Sequence, residues 1–288
     1  MRRVAFLTMD SLEDFVAYDE EAVPPLEQRG WTVDFVPWRT PTDWGRYEAV
    51  VIRTPWDYQR DPDAFLAVLD AIEASPARLA NPLDVVRWNL DKAYLRDLEA
   101  RGVPIVPTAW GGRLDDLDAL RRRLGSDTLV VKPTVGANAD DTFRLGPDTD
   151  PSAALATFAA RPFMVQPFVR SVIEEGEVSL FHFLGLYSHA ILKTPAAGDF
   201  RVQEEHGGCI RALSPEPALR AAADRALDGL PPLLYARSDW VRMPEGAPGG
   251  PWALMELELI EPSLYFPYDA AAPARFADAF VRWIGGSA

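Results

Sequence analysis

The chain has 288 residues, enough for two or three compact units sharing one surface. With 43 Asp plus Glu against 29 Lys plus Arg it carries a net charge of −14, which argues strongly against nucleic acid as a partner, since phosphate backbones are held by a basic footprint. A single cysteine, Cys209, rules out an intrachain disulfide. The opening Met1 to Thr8 is too short and too soon followed by acid for a signal or membrane span, so a cytoplasmic, membrane-free protein is expected.

Val4 to Leu7 predicts a buried strand, Glu20 to Arg29 a helix closed by Gly30, and Thr32–Val36 and Ala49–Ile52 two more strands. This alternation implies a small parallel α/β unit, whose ligands sit beyond the carboxyl ends of the strands. There the chain reads Arg53-Thr-Pro-Trp56-Asp57-Tyr58, either a substrate-binding cluster or an Arg53–Asp57 pair with aromatics covering a core edge. Asp84 to Arg101 predicts one helix with Lys92 inside it. A short strand, Val103 to Val106, and a helix, Leu114 to Leu124, follow. The strand Thr128–Val131 runs into Lys132 and a loop of small residues, Thr134 to Thr142, able to bring backbone N–H groups close to phosphate oxygens or to serve as a plain hairpin loop.

A helix near Ser152 to Ala160 and a strand, Phe163 to Gln166, lead to an acidic turn. Val178–Leu184 and Tyr187–Lys193 predict a strand pair, Pro195–Gly208 a polar loop, and Glu216–Leu227 an amphipathic helix. Two further strands carry Arg237-Ser-Asp239 and Glu256-Leu-Glu258, and an amphipathic helix closes the sequence. Residues two apart on a strand share a face, so Glu256 and Glu258 point together, with Asp239 across from them if the hairpin pairs in the obvious register. Three carboxylates suit Mg²⁺ completed by nucleotide phosphates; the alternative is a solvated face partnered by Arg237 and Arg242.

Among 29 basic residues only Lys92, Lys132 and Lys193 are lysines, and a compact ammonium suits a phosphate where a planar guanidinium does not. Two lysines on successive segments, a small-residue loop, a hinge, a third lysine, then Arg-x-Asp and Glu-x-Glu on adjacent strands resemble the ATP-grasp superfamily. The phrases Val86-Arg-Trp-Asn-Leu-Asp-Lys92, His189-Ala-Ile-Leu-Lys193, Gly198-Asp-Phe-Arg201 and Met255-Glu-Leu-Glu-Leu-Ile-Glu-Pro262 are similar to its cyclo-ligase group, beside glutathione synthetase and the ribosomal-protein glutamate ligases. The resemblance implies an α/β fold, α+β in its C-terminal part: a pre-ATP-grasp unit over 1–84, a small lobe over 85–165 and a C-terminal lobe over 166–288.

It further implies that Lys92, Lys132 and Lys193 meet ATP phosphates under a loop at Gly136. Gln166, Phe168 and Val169 would form the adenine hinge, and Glu177, with Glu174 as alternative, would bind ribose. Asp239, Glu256 and Glu258 would hold Mg²⁺ or Mn²⁺, and Arg237 would stabilise the transferring phosphoryl group. Two departures stand out: Glu258 where the superfamily more often has Asn, and Ile260-Glu-Pro-Ser-Leu-Tyr265 where many relatives have Ser-Pro-Gly. The implied function is an ATP-dependent ligase that turns an amino-acid-like carboxylate into an acyl phosphate for an amine or similar nucleophile, within or between molecules. Arg201 and the cluster Arg53, Trp56, Asp57 and Tyr58 are the candidate substrate contacts, and a homodimer is a reasonable assembly. A non-catalytic ATP sensor is the rival. A nicotinamide oxidoreductase is disfavoured, because the first strand runs into Thr8-Met-Asp-Ser rather than a glycine-rich turn.

Overall fold

The computed structural model describes residues 2–111 and 114–286. In chain order the elements are β1 (Arg2–Thr8), α1 (Val23–Glu27), β2 (Trp31–Pro37), β3 (Ala49–Thr54), α2 (Pro62–Glu73), β4 (Arg78–Ala80), α3 (Leu83–Asn89), α4 (Tyr94–Ala100), β5 (Ala109–Trp110), α5 (Leu117–Leu124) and β6 (Leu129–Pro133). There follow β7 (Phe143–Leu145), α6 (Ser152–Thr157), β8 (Phe163–Pro167), α7 (Ser171–Glu174), β9 (Glu177–Phe183), β10 (Leu186–Thr194), β11 (Cys209–Ala212), α8 (Pro217–Leu227), β12 (Tyr235–Arg242), β13 (Trp252–Glu258) and α9 (Ala272–Ile284). The first four strands form a parallel sheet in the order β2-β1-β3-β4. The rest form two antiparallel sheets, β5-β8-β6-β7 and β11-β10-β9-β12-β13. Parallel α/β first and antiparallel α+β after it is the expected division of class.

Three local expectations change. The first helix shrinks to α1, behind a 3-10 turn at Asp19–Ala22, because Pro24 and Pro25 supply no N–H and are tolerated only in a first turn. The helix predicted through Lys92 is broken into α3 and α4: the Asp91 side chain accepts from the Ala93 N–H (2.8 Å) and from the Thr134 hydroxyl (3.0 Å), and the Lys92 N–H donates to Thr134 O (2.7 Å). The strand expected at Val103–Val106 is reduced to one bridge, Ile105 to Leu254, while β11 forms just past the predicted polar loop, over residues to which no element was assigned.

The amphipathic α9 lies between the parallel sheet and the five-stranded sheet. Its Phe276, Phe280 and Trp283 share one buried cluster with Phe6 and Trp31 on one side and Phe181 and Phe183 on the other. Trp31 meets Phe280 edge-on at 4.8 Å, a geometry that aromatic quadrupoles favour. No described helix is long and apolar enough to cross a membrane.

His182 and His189 are structural. His182 Nε2 lies 3.1 Å from Asp224, and His189 stacks on Phe181 at 4.2 Å with its Nε2 3.0 Å from Leu264 O. Burial pulls His189 down to about 4, so its ring is neutral in the fold at pH values where it is charged in the unfolded chain. The unfolded state therefore binds more protons between about pH 6.5 and 4. Stability is complete above that window and is lost as pH falls through it, by up to about 3 kcal/mol. Chemical denaturation from pH 7 to 4 checks this; His189→Gln is expected to flatten the acid limb, and an unchanged slope contradicts it.

Candidate active site

The centre of the site is the β12–β13 hairpin. Its register sets Asp239 opposite Glu256 and Arg237 opposite Glu258, and a bulge follows Asp239. β13 is an edge strand, and its outer backbone groups are met by side chains and loop rather than by another strand. Asn89 donates to Leu257 O (2.8 Å) and accepts from Leu259 N–H (2.9 Å), the Tyr94 hydroxyl accepts from Leu257 N–H (2.8 Å), and Leu254 N–H donates to Pro104 O (2.8 Å). The segment before Lys92 thus holds the strand bearing both glutamates. Asn89 carries no charge and sits mid-phrase, so nothing in its spacing marks it. Asn89→Leu strands a buried N–H and C=O, and is expected to cost about 2–4 kcal/mol and to lower Tm by roughly 10 °C. Differential scanning calorimetry checks it.

Acids and bases are interleaved. Arg237 pairs with Asp239 (3.1 Å) and, at short range, with Glu258. Lys193, 3% exposed, bridges Glu177 (2.5 Å) and Asp239 (3.2 Å), and Lys92 pairs with Glu256 (2.9 Å) while donating to Gly136 O (2.7 Å). Burial would raise Asp239, yet Arg237 and Lys193 hold it down at about 2. Glu256 is likewise held below its ordinary value against burial, by Lys92 and Lys132. Glu258 goes the other way: burial pushes it up, Arg237 opposes, and the charges of Asp239 and Glu256 add to the rise, to about 8. Lys132 differs from the other two lysines. Among the described residues it has no carboxylate partner, its closest polar contact is the Met255 sulfur at 3.8 Å, and burial pulls its ammonium below the ordinary range.

These groups line one cavity between the two antiparallel sheets, together with Gly136, Gln166, Phe168, Val169, Glu177 and Arg201. Gln166 is 2% exposed and its amide donates to Thr108 (3.0 Å); Phe168 carries the Arg144 guanidinium on its face at 3.9 Å. Arg201 pairs with its neighbour Asp199 at 2.7 Å. The small-residue loop arches over the opening with Asn138, Ala139 and Asp141 in the left-handed region. It touches the first unit through Asn138 to Trp56 O (3.3 Å) and Gln59 to Asp140 (3.4 Å). Glu174 lies outside the lining.

The cluster after β3 divides. Trp56 and Tyr58 line the cavity, but Arg53 does not reach it: fully buried, it pairs with Asp19 and donates to Pro262 O (2.7 Å), tying the first unit to the last. Asp57 turns away as well, accepting from the Trp38 indole (2.7 Å) and pairing with Arg39. Neither forms the Arg53–Asp57 pair considered from the sequence, because each has a partner from a distant segment. Arg242, the other proposed counter-ion, goes to Glu175 (2.9 Å) instead. Glu261, which sequence reading passed over, lines the cavity beside Tyr58.

Among the described residues no three carboxylate, imidazole or thiol groups gather closely enough to hold one ion. The Asp239–Glu256 pair still fits Mg²⁺, which needs only one or two carboxylates and draws its other oxygens from water and phosphate. The crowding that lifts Glu258 is what an added cation relieves.

Over 96% of its length the chain is 35% identical to the cycloserine biosynthesis protein DcsG of Streptomyces lavendulae, covering 97% of that relative. The chain belongs to the DcsG family of ATP-grasp ligases. Residues 4–81 match the family profile described as D-cycloserine synthetase DcsG, N-terminal domain. The crystal structure of D-cycloserine synthetase DcsG superposes with a TM-score of 0.83 at 31% identity, covering 98% of this chain and 99% of that one. A D-alanine–D-alanine ligase from Bacillus anthracis complexed with ATP shares the fold alone, with a TM-score of 0.71 at 15% identity and full coverage of both chains. As a member of the DcsG family, the chain is an ATP-dependent ligase that forms C–N bonds.

Proposed function

We propose that the chain phosphorylates the carboxylate of a small amino-acid-like substrate and closes a ring when a nitrogen of the same molecule displaces the phosphate. The substrate carboxylate oxygen attacks the γ-phosphorus and the bond to ADP breaks. The nitrogen then attacks the acyl carbon, and inorganic phosphate leaves. One observation carries the reading: an unpaired lysine, Lys132, shares a cavity with Arg237 and the Asp239–Glu256 pair.

Lys92 and Lys132 hold the ATP phosphates, and Lys193 sets the charge of Glu177 and Asp239 beneath them. Gln166, Phe168 and Val169 receive the adenine and Glu177 the ribose. Arg237, with its planar fork, neutralises charge on the transferring phosphoryl group, and Arg201 receives the carboxylate. Asp239 and Glu256 would hold Mg²⁺, or Mn²⁺ on the same oxygen donors, with Glu258 beside them on Arg237. The bound metal supplies charge neutralisation at the phosphates. The loop from Gly136 to Asp141 keeps water from the acyl phosphate. The relative's name, D-cycloserine synthetase, supports an intramolecular closure. The cytoplasm, where ATP is at hand, is the location proposed, and a two-fold dimer the assembly.

ADP release from ATP and Mg²⁺ with pooled amino acids tests the proposal. A protein that merely senses ATP shows a nucleotide-induced rise in Tm and no ADP with any carboxylate.

A further inference from the structure

Internal ion pairs account for the acids set within the cavity, with one exception. Glu177 and Asp239 have Lys193, Glu256 has Lys92, and Glu258 has Arg237. Asp140 and Glu205, which also have no cation partner among the described residues, lie exposed at the mouth. Glu261 is half-buried, lines the cavity, and has no ion-pair partner among the described residues. A carboxylate taken out of water without a cation is costly, and its rise to about 7 reflects that burial first, relieved by Tyr58 and Lys92.

The position of Glu261 is built rather than incidental. Its carbonyl accepts from the Trp56 indole (2.9 Å), the next carbonyl, of Pro262, from Arg53 (2.7 Å), and that of Ser263 from Arg237 (3.3 Å). The side chain faces the hydroxyl of Tyr58, a residue only 5% exposed. The Tyr58 hydroxyl thus meets a lone carboxylate whose backbone Trp56 fixes, while Arg237 holds the Ser263 carbonyl of the same segment.

A second metal ion is a poor occupant, because the Tyr58 ring beside Glu261 offers no set of hard oxygen donors. An ammonium group is a good one, since it donates to carboxylate and hydroxyl oxygens and gains from aromatic faces. We infer that Glu261, with Tyr58 beside it and its backbone fixed by Trp56, seats the ammonium group of the substrate and so favours it over the same acid without an amino group. This rests on the ligase reading above and adds to it the charge state of the substrate.

The test is calorimetric binding of the common amino acids, in both enantiomeric forms, and of their counterparts with hydrogen in place of the amino group. All titrations contain Mg²⁺ and a non-hydrolysable ATP analogue. Wild-type protein is expected to bind one or more amino acids and to bind the matched des-amino acid at least about tenfold more weakly. Glu261→Gln, nearly isosteric, is expected to weaken the amino acid by a similar factor, leave the des-amino acid unchanged, and leave nucleotide affinity within about twofold. Tyr58→Phe, which keeps the ring, is expected to cost only a few-fold. Equal binding of the matched pair, no binding of any amino acid, or a Glu261→Gln loss that falls on Mg²⁺ or nucleotide instead overturns the assignment. Failure of the ligase reading looks different: the binding pattern holds, but no carboxylate releases ADP.

Discussion

Replacing Arg237 with Ala is expected to lower kcat by about 10²–10³-fold while ATP affinity stays within a few-fold, the signature of a group that acts mainly on charge developing in the transition state. Arg237 is 8% exposed, and its Nε and Nη2 face Asp239 while Nη2 also meets Glu258. Removing it leaves two carboxylates facing each other with one cation fewer, which adds a stability cost of about 3–5 kcal/mol. Activity could then fall through misfolding alone. Arg237→Lys separates the two effects, because it keeps the charge and loses the planar fork. Single-turnover ADP formation at saturating ATP is the measurement. The Lys variant should melt near wild type yet remain slow, and a kcat within threefold of wild type would remove Arg237 from the chemistry.

Lys132→Ala makes the second large change, on nucleotide binding rather than on the fold. The other two lysines are tied to carboxylates, Lys193 to Glu177 and Asp239 and Lys92 to Glu256, so Lys92 gives up an existing pair when it turns toward a phosphate. Lys132 has none to give up, and its ammonium is held below the ordinary range by burial. A buried cation with no ion-pair partner, drawn only at longer range by Glu256 and Glu177, costs stability without ligand and repays it on binding. Loss of its charge-assisted bond is expected to raise the ATP dissociation constant by roughly 10–100-fold. Without nucleotide the variant should melt at or slightly above the wild-type temperature. The Tm rise that ATP produces in wild type should shrink accordingly. A variant that melts lower in the apo state and keeps its ATP-induced shift would show Lys132 to be structural.

Much of the site was legible because its logic is local. The two-residue spacing of Glu256 and Glu258, and of Arg237 and Asp239, puts each pair on one face, and a hairpin joins the two strands in the register anticipated. Lys132 at the end of β6, ahead of a loop of small residues, is equally local. What escaped was set by partners far along the chain. The break that frees Lys92 depends on Thr134, 43 residues from Asp91. Arg53 was misjudged because its partners, Asp19 and Pro262, are 34 and 209 residues away, and a buried arginine looks like any other in a list of letters. The Glu177–Lys193 pair is visible only once β9 and β10 are in register. Glu261 lay within the stretch that departs from the superfamily pattern, where a transferred motif had nothing to say.

The placement of α9 sets a schedule for making the protein. Trp31 and Phe6 precede the two antiparallel sheets in the chain, but Phe276, Phe280 and Trp283, which complete their core, are translated only after both of those sheets. At about 5–20 residues per second, one face of the first sheet stays bare for roughly ten to fifty seconds of synthesis. The nascent chain therefore carries exposed aromatic surface while both antiparallel sheets are made, and engagement by a holdase chaperone should end only when α9 clears the exit tunnel.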